Sequence, residues 1–216
     1  MIDTTTPPPQ ETLILLVRHG ETPTTGLVLP GRAPGLHLSD HGREQAQRFA
    51  ERLEGLRVDA IYSSPLERAH ETATAAADRT GHRVREHAGL TECDFGTWTG
   101  SRLADLAKLP EWRTVQQSPS TFCFPRGESF AQMQARMVGA LEGLRTAHAG
   151  GVVVCFSHAD PIKAAISHAL GAGLDQFQRI FISPGSVSAI SYAEGRAPGV
   201  LMVNSTQEPL HGLRAS

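Results

Sequence analysis

The sequence predicts an α/β fold, a three-layer α/β/α sandwich around a mostly parallel sheet, and three observations carry that prediction. Two short continuous apolar runs, residues 13–17 and 152–156, read as strands buried on both faces. Helical three-and-four spacing of apolar residues alternates with such strand-like runs along the chain. A length of 216 residues with 40% hydrophobic and 19% charged residues suits one soluble domain with a substantial core. Three segments are expected: a loose N-terminal arm at 1–11, rich in threonine and proline, a domain over 12–205, and a weak C-terminal tail at 206–216.

Each element follows from local chemistry. After the first strand, Ala46, Phe49, Ala50, Leu53 and Leu56 lie on one face of a helix over about 40–55 that ends near Gly55. A strand follows at 58–63. Ser64-Pro65-Leu66-Glu67 then offers a capping serine, a proline at the first helical position and a glutamate at the third, predicting a helix that stops at Gly81. A strand near 83–87 leads into a loop-rich stretch over about 90–126. Phe130, Met133, Met137, Ala140, Leu141 and Leu144 define the face of a long helix. After the strand at 152–156, Asp160-Pro161 reads as an N-cap with proline at N1, opening a helix to about Leu170. The last strands are expected at 186–193 and 200–204.

Ligands in such sheets bind beyond the carboxyl ends of the strands. Arg18-His19-Gly20-Glu21-Thr22 directly follows the first strand and Ser157-His158-Ala159-Asp160 follows another. Arg68 is expected one turn into the helix after the second strand, and Glu92 follows the third. Parallel strands would bring two histidines, two arginines and a carboxylate to one end of the sheet. That set suits a phosphoryl group. Arginine forks match phosphate oxygens, a neutral imidazole is a nucleophile, and a carboxylic acid can protonate a departing oxygen.

Arg18-His19-Gly20-Glu21-Thr22 resembles the signature of the histidine phosphatase superfamily, the phosphoglycerate mutase-like family, in its small bacterial phosphatase type. Other segments resemble that family's motifs in the same order. They are Leu38-Ser39-Asp40-His41-Gly42, Ser63-Ser64-Pro65-Leu66-Glu67-Arg68-Ala69, Leu90-Thr91-Glu92-Cys93-Asp94-Phe95-Gly96, Pro125-Arg126-Gly127-Glu128-Ser129 and Ser157-His158. The resemblance covers about 12–205. It implies that His19 is phosphorylated, that Arg18, Arg68 and His158 clamp the phosphoryl group, and that Glu92 is the proton donor. It also implies that Gly20, Thr22, Gly31 and Ala159 line the phosphate or substrate site. Many relatives carry asparagine where this chain has Thr25, whose hydroxyl can still donate but reaches less far. The stretch between Glu92 and His158 is shorter than in the glycolytic mutases and lacks an obvious basic cluster, which favours hydrolysis. The expectation is a metal-independent phosphatase acting on a phosphomonoester through a phosphohistidine at His19. The alternatives are a phosphomutase and a non-catalytic binder of phosphorylated ligands.

Asp160 competes with Glu92 for the acid role, but its place before Pro161 already accounts for it as a helix cap. The 10 histidines show no HExxH and the cysteines no CxxC, so no metal and no cofactor is expected. Phe95, Trp98, Trp112, Phe122 and Phe124, with Arg102, Arg113 and Arg126, either wall a pocket for a partly apolar or carboxylated phosphoester or anchor a satellite core. The partner expected is a small phosphoester, and a homodimer is left open. A formal net charge of -2 excludes general affinity for nucleic acid or anionic membranes. Apolar runs fall far short of the roughly 20 residues that span a bilayer. No secretory signal pattern opens the chain, and Cys93, Cys123 and Cys155 make no disulfide framework, so a cytoplasmic location is expected.

Overall fold

A computed structural model describes residues 11–207 and 209–213, so nearly all of the expected N-terminal arm lies outside the described residues. In chain order the elements are β1 (Thr12–Arg18), α1 (Asp40–Arg52), β2 (Ala60–Ser63), α2 (Glu67–Thr80), β3 (Val84–Glu86), α3 (Leu103–Leu106), α4 (Pro110–Gln117), α5 (Phe130–Ala147), β4 (Val152–Ser157), α6 (Ala159–Ala169), β5 (Val187–Tyr192) and β6 (Gly199–Ser205). One sheet has the order β3-β2-β4-β1-β5-β6. Strands β1 to β4 are parallel; β5 is antiparallel to them, and β6, paired antiparallel to β5, runs in their direction at the edge.

Side-chain alternation along β1 builds the layers. Ile14 and Leu16 face Met137, Leu141 and Leu144 of α5 and Ile162 and Ile166 of α6. Leu13, Leu15 and Val17 face Phe49 of α1 and Ala73, Ala76 and Ala77 of α2. Both faces of β1 are therefore buried, and the continuous apolar run is its sequence trace. A third cluster lies under the 93–130 stretch and joins Phe95, Trp98, Phe122 and Phe124 to Phe130 and Met133 of α5.

Several boundaries differ from the sequence expectation. Helix α1 stops at Arg52, and the reversal reaches Gly55, whose φ of 77° needs no Cβ-bearing residue. Helix α2 begins at Glu67, not behind a Ser64 cap. Leu66 is its N-cap without a side-chain bond; Ser64 Oγ accepts the Leu66 N–H at 3.3 Å and bonds His158 Nε2 at 2.8 Å. Arg68 is thus the second helical residue instead of one turn in. Helix α6 is capped by His158, and Asp160 lies inside the first turn, where Pro161 is also tolerated. The loop-rich stretch contains α3 and α4. At 8 residues, α4 is too short for periodicity to reveal and fully buries only Val115. The tail is anchored where it was expected to be weak: Leu210 is completely buried and its N–H donates to the Arg52 carbonyl at 3.2 Å.

Candidate active site

The parallel arrangement brings the carboxyl ends of β1 and β4 side by side, with Arg18 opposite Ser157. His19 N–H donates to the Ser157 carbonyl at 3.0 Å, which holds the two post-strand segments together. The rings of His19 and His158 meet edge to face, 5.1 Å between centroids. Gly20 crosses helix α1 so closely that a Cβ there would lie 2.4 Å from the Gly42 carbonyl oxygen. Only two glycines allow that crossing, and it fixes how the chain leaves β1.

His19 Nδ1 lies 2.7 Å from the Gly20 carbonyl. A carbonyl can only accept, so Nδ1 carries the proton and Nε2 presents its lone pair. Arg68 Nε donates to that Nε2 at 3.2 Å, and Arg68 Nη2 donates to the Gly31 carbonyl at 2.9 Å. Arg18 Nη1 donates to the Ile182 carbonyl at 2.6 Å. Each of these groups keeps a donor or acceptor in reserve: Arg18 Nε, Arg68 Nη1 and His158 Nδ1 are buried without a hydrogen-bond partner among the described residues. Buried polar groups are ordinarily paired, so this concentration of unpaired nitrogen marks a site shaped for an anion.

Electrostatics separate the roles. Burial, reinforced by Arg68 and Arg18, holds His19 well below the usual imidazole range, against the opposing bond to Gly20. Burial and the charges of Arg68 and neighbouring groups do the same to His158. Both imidazoles are therefore neutral at neutral pH. Glu92 moves the other way: burial, with the nearby Asp160 carboxylate, raises its carboxyl to about 7 against the pull of Arg68 and Arg18. Its Oε1 accepts the Cys93 N–H at 2.9 Å.

One cavity of about 300 Å³ gathers Arg18, His19, Thr22, Thr25, Glu92, Ala159 and Asp160. Arg68, His158, Gly20 and Gly31 are not on its wall. Gly20 N–H is taken by Thr72 Oγ1 at 3.0 Å and the Gly31 carbonyl by Arg68, so both glycines act from behind the wall and not on it. Thr25 Oγ1 accepts the Thr22 N–H at 2.9 Å and meets Thr22 Oγ1 at 3.0 Å, closing the loop after β1. Asp160 pairs with Lys163 Nζ at 3.1 Å, which replaces the capping role. Of the aromatic and arginine-rich group, Phe95, Trp112 and Phe124 line the cavity. Trp98 and Phe122 belong to the satellite core, and Arg102, Arg113 and Arg126 are not on the wall. Among the described residues, no group of three or more His, Cys, Asp or Glu side chains could hold a metal ion.

Sequence reasoning missed the groups that hold this site in place. Ser64 orients His158 across 94 positions of chain. Thr72 Oγ1 bonds the Arg68 carbonyl at 2.7 Å as well as Gly20, tying α2 to the His19 loop. Arg136 of α5 donates to the carbonyls of Gly89 and Thr91 at 2.8 and 2.9 Å, and with Arg32 it grips Glu128, so the Glu92 segment is held by two guanidinium groups. Ser157 Oγ reaches the Leu90 carbonyl at 2.7 Å. The signal for Glu128 was present in its motif; nothing local marks Arg136.

Comparison with known proteins agrees with this geometry. The profile of the histidine phosphatase superfamily (branch 1) matches residues 14–206. The chain is 34% identical over 198 residues to phosphoserine phosphatase 1 of Hydrogenobacter thermophilus, covering 89% of this chain and 92% of that one. A mycobacterial glucosyl-3-phosphoglycerate phosphatase superposes with a TM-score of 0.81 at 27% identity, over 90% of this chain and 99% of its own. A phosphoserine phosphatase variant from Entamoeba histolytica, solved with phosphoserine, gives 0.80 at 28% identity, over 94% of this chain and 100% of its own. The chain belongs to the histidine phosphatase superfamily. Within it, the likeness to these hydrolases makes it an enzyme of the phosphatase class. No helix among the described residues is long and apolar enough to cross a membrane.

Proposed function

We propose that this protein hydrolyses a small phosphomonoester through a phosphohistidine at His19, without a metal. The observation that carries the reading is the His19 Nε2 lone pair, fixed by the Nδ1 bond to Gly20, set among the unpaired donors of Arg18 and Arg68 and a second neutral histidine. In the first step Nε2 attacks phosphorus. A P–N bond forms, the ester P–O bond breaks, and its electron pair goes to the alcohol oxygen, which takes the proton of Glu92. In the second step water attacks phosphorus, gives a proton to the Glu92 carboxylate, and the P–N pair returns to Nε2. Ester and water become alcohol and inorganic phosphate. Arg18, Arg68 and His158 hold the oxygens whose charge grows in both steps. The fixed cations of Arg18 and Arg68 supply the neutralisation that magnesium supplies elsewhere.

Glu92 suits the acid role because a group titrating near 7 can both donate and recover a proton at neutral pH. Asp160 is engaged by Lys163 instead. The mostly buried Cys93 and Cys155 thiols fit a reducing, cytoplasmic setting. The test is hydrolysis of an aryl phosphate in excess chelator, with His19→Ala as control. Chelator-resistant turnover that vanishes in the variant, with acid-labile phosphate trapped on the wild type, supports the reading. Turnover that survives His19→Ala sinks it. Phosphorus NMR separates free phosphate from the isomerised ester that a mutase would yield.

A further inference from the structure

We infer that the leaving alcohol is an apolar, ring-sized or chain-like body with a single neutral hydrogen-bonding edge, not a small, densely charged one. This rests on the phosphomonoester reading above and deepens it.

The cavity is chemically two-sided. Its phosphoryl end holds Arg18, His19 and Glu92. Away from that end most of the wall is carbon, supplied by Leu29 after β1, Phe95 and Phe124 in the satellite core, Trp112 and Val115 of α4, and Phe130 of α5, with Gln116 of α4 as a polar exception. The aromatic members are not free to rearrange. Phe95 and Phe124 pack edge to face at 4.9 Å, Phe124 meets Phe130 at 5.1 Å, and Trp112 stacks on Trp98 at 6.3 Å. Rigid apolar walls of this kind select by shape and by desolvation. An apolar cavity of roughly 150 Å³ holds a benzene ring, so about 300 Å³ accommodates a phosphoryl group and a body of that size.

Apart from Gln116, the polar edge is self-satisfied. Lys163 is paired with Asp160 at 3.1 Å and donates to Gln178 Oε1 at 3.3 Å, and the Gln178 amide donates in turn to the Val115 carbonyl at 3.4 Å. A carboxylate or second phosphate on the substrate that took the remaining N–H of Lys163 would sit beside the Asp160 carboxylate and be repelled by it. No arginine of the 95–126 stretch lines the cavity to take its place. A neutral hydroxyl or amide can add to this edge without breaking it. An apolar body gains from the wall, while a polar one loses its hydration against it.

The experiment measures kcat/KM for n-propyl to n-hexyl phosphate, whose leaving alcohols differ little in acidity, with phosphoserine and 3-phosphoglycerate beside them. Binding of the matching n-alkyl phosphonates is measured by calorimetry. Burial of each methylene predicts a rise of about threefold to fourfold per carbon in kcat/KM and in phosphonate affinity, with hexyl phosphate above phosphoserine. Trp112→Ala should cut the hexyl value by more than about tenfold and flatten the series. A flat or falling series, or phosphoserine exceeding hexyl phosphate, overturns the inference. Phosphoserine is the sharpest competitor, since its ammonium and carboxylate could each take one half of the Asp160–Lys163 pair. The two readings fail separately. If no ester is turned over, the phosphonate series still decides the shape of the chamber. If the series rises but turnover ignores His19→Ala, the chamber stands and the phosphohistidine falls.

Discussion

The two ends of the cavity are built by opposite means. The phosphoryl end comes from strand termini and first helical turns, is largely buried, and is crowded with nitrogen held by hydrogen bonds to carbonyls. The leaving-group end comes from short helices and turns over 95–130, and is held by ring packing. Hydrogen bonds at a sheet edge fix a reactive geometry to fractions of an ångström, which chemistry on phosphorus needs. Aromatic packing on a loop scaffold fixes a shape while leaving its size free to change by substitution. Conserving the reaction and varying the substrate are thus physically separate tasks.

The sharpest way to break that comparison is Arg68→Lys. A lysine keeps the charge but loses the fork that serves both His19 and Gly31. A loss of roughly 10²–10³ in kcat/KM is expected in steady-state assays, and near-normal rates would show that charge alone suffices. Glu92→Gln should cost roughly 10²–10⁴ in kcat, far more than Asp160→Asn, and the reverse ranking would reassign the acid. The pH profile sharpens this. The reaction needs neutral His19 and protonated Glu92, so kcat/KM should fall above about 7, where Glu92 loses its proton, and again well below the usual imidazole range. Removing the Asp160 charge lowers the Glu92 carboxyl, so Asp160→Asn should move the upper limb to more acid pH.

Smaller effects separate positioning from chemistry. Ser64→Ala removes the partner of His158 Nε2 and should cost about tenfold in kcat, with Ser64→Thr restoring part of it. Glu92 also carries a stability cost. Its carboxyl is raised on folding from an unfolded value of 4.5 to about 7, so folding favours the protonated form. That benefit is complete below 4.5 and fades as pH rises to 7. Glu92→Gln should therefore melt higher than wild type at pH 8, by roughly 1–3 kcal/mol, and match it at pH 4. An equal difference at both pH values would argue that Glu92 is not buried as described.

What was legible in the sequence follows the same division. Buried parallel strands announce themselves as apolar runs, and the residues just beyond them must face one end of the sheet, so Arg18, His19 and His158 could be placed by topology. The long helix α5 showed its period, while its capping box of Ser129 and Gln132 emerged only in the structure. Partners distant along the chain were invisible. Ser64 looked like a cap, and it does accept the Leu66 N–H at 3.3 Å, but its bond to His158 94 positions away left no local trace; Asp160 looked like a cap because nothing local shows that α6 starts two residues earlier. Helix α4 spans barely two turns, and its apolar residues serve a cavity instead of the main core. A lone Leu210 between proline and histidine carries no periodicity, yet it plugs the sheet.

The segment after the His19 loop has a mechanical consequence. Val28 bridges Arg102, Leu29 N–H donates to Ser101, Gly100 N–H returns to Leu29, and Leu103 N–H donates to Leu27. Thr22 and Thr25, at the mouth of the phosphate site, are thereby laced to the start of the aromatic wall. These bonds tie the loop after β1 to the segment before α3, so the two stretches should open as one unit. The amide protons of Leu29, Gly100 and Leu103 should accordingly exchange with solvent at one common rate, and slow together when a phosphonate occupies the cavity.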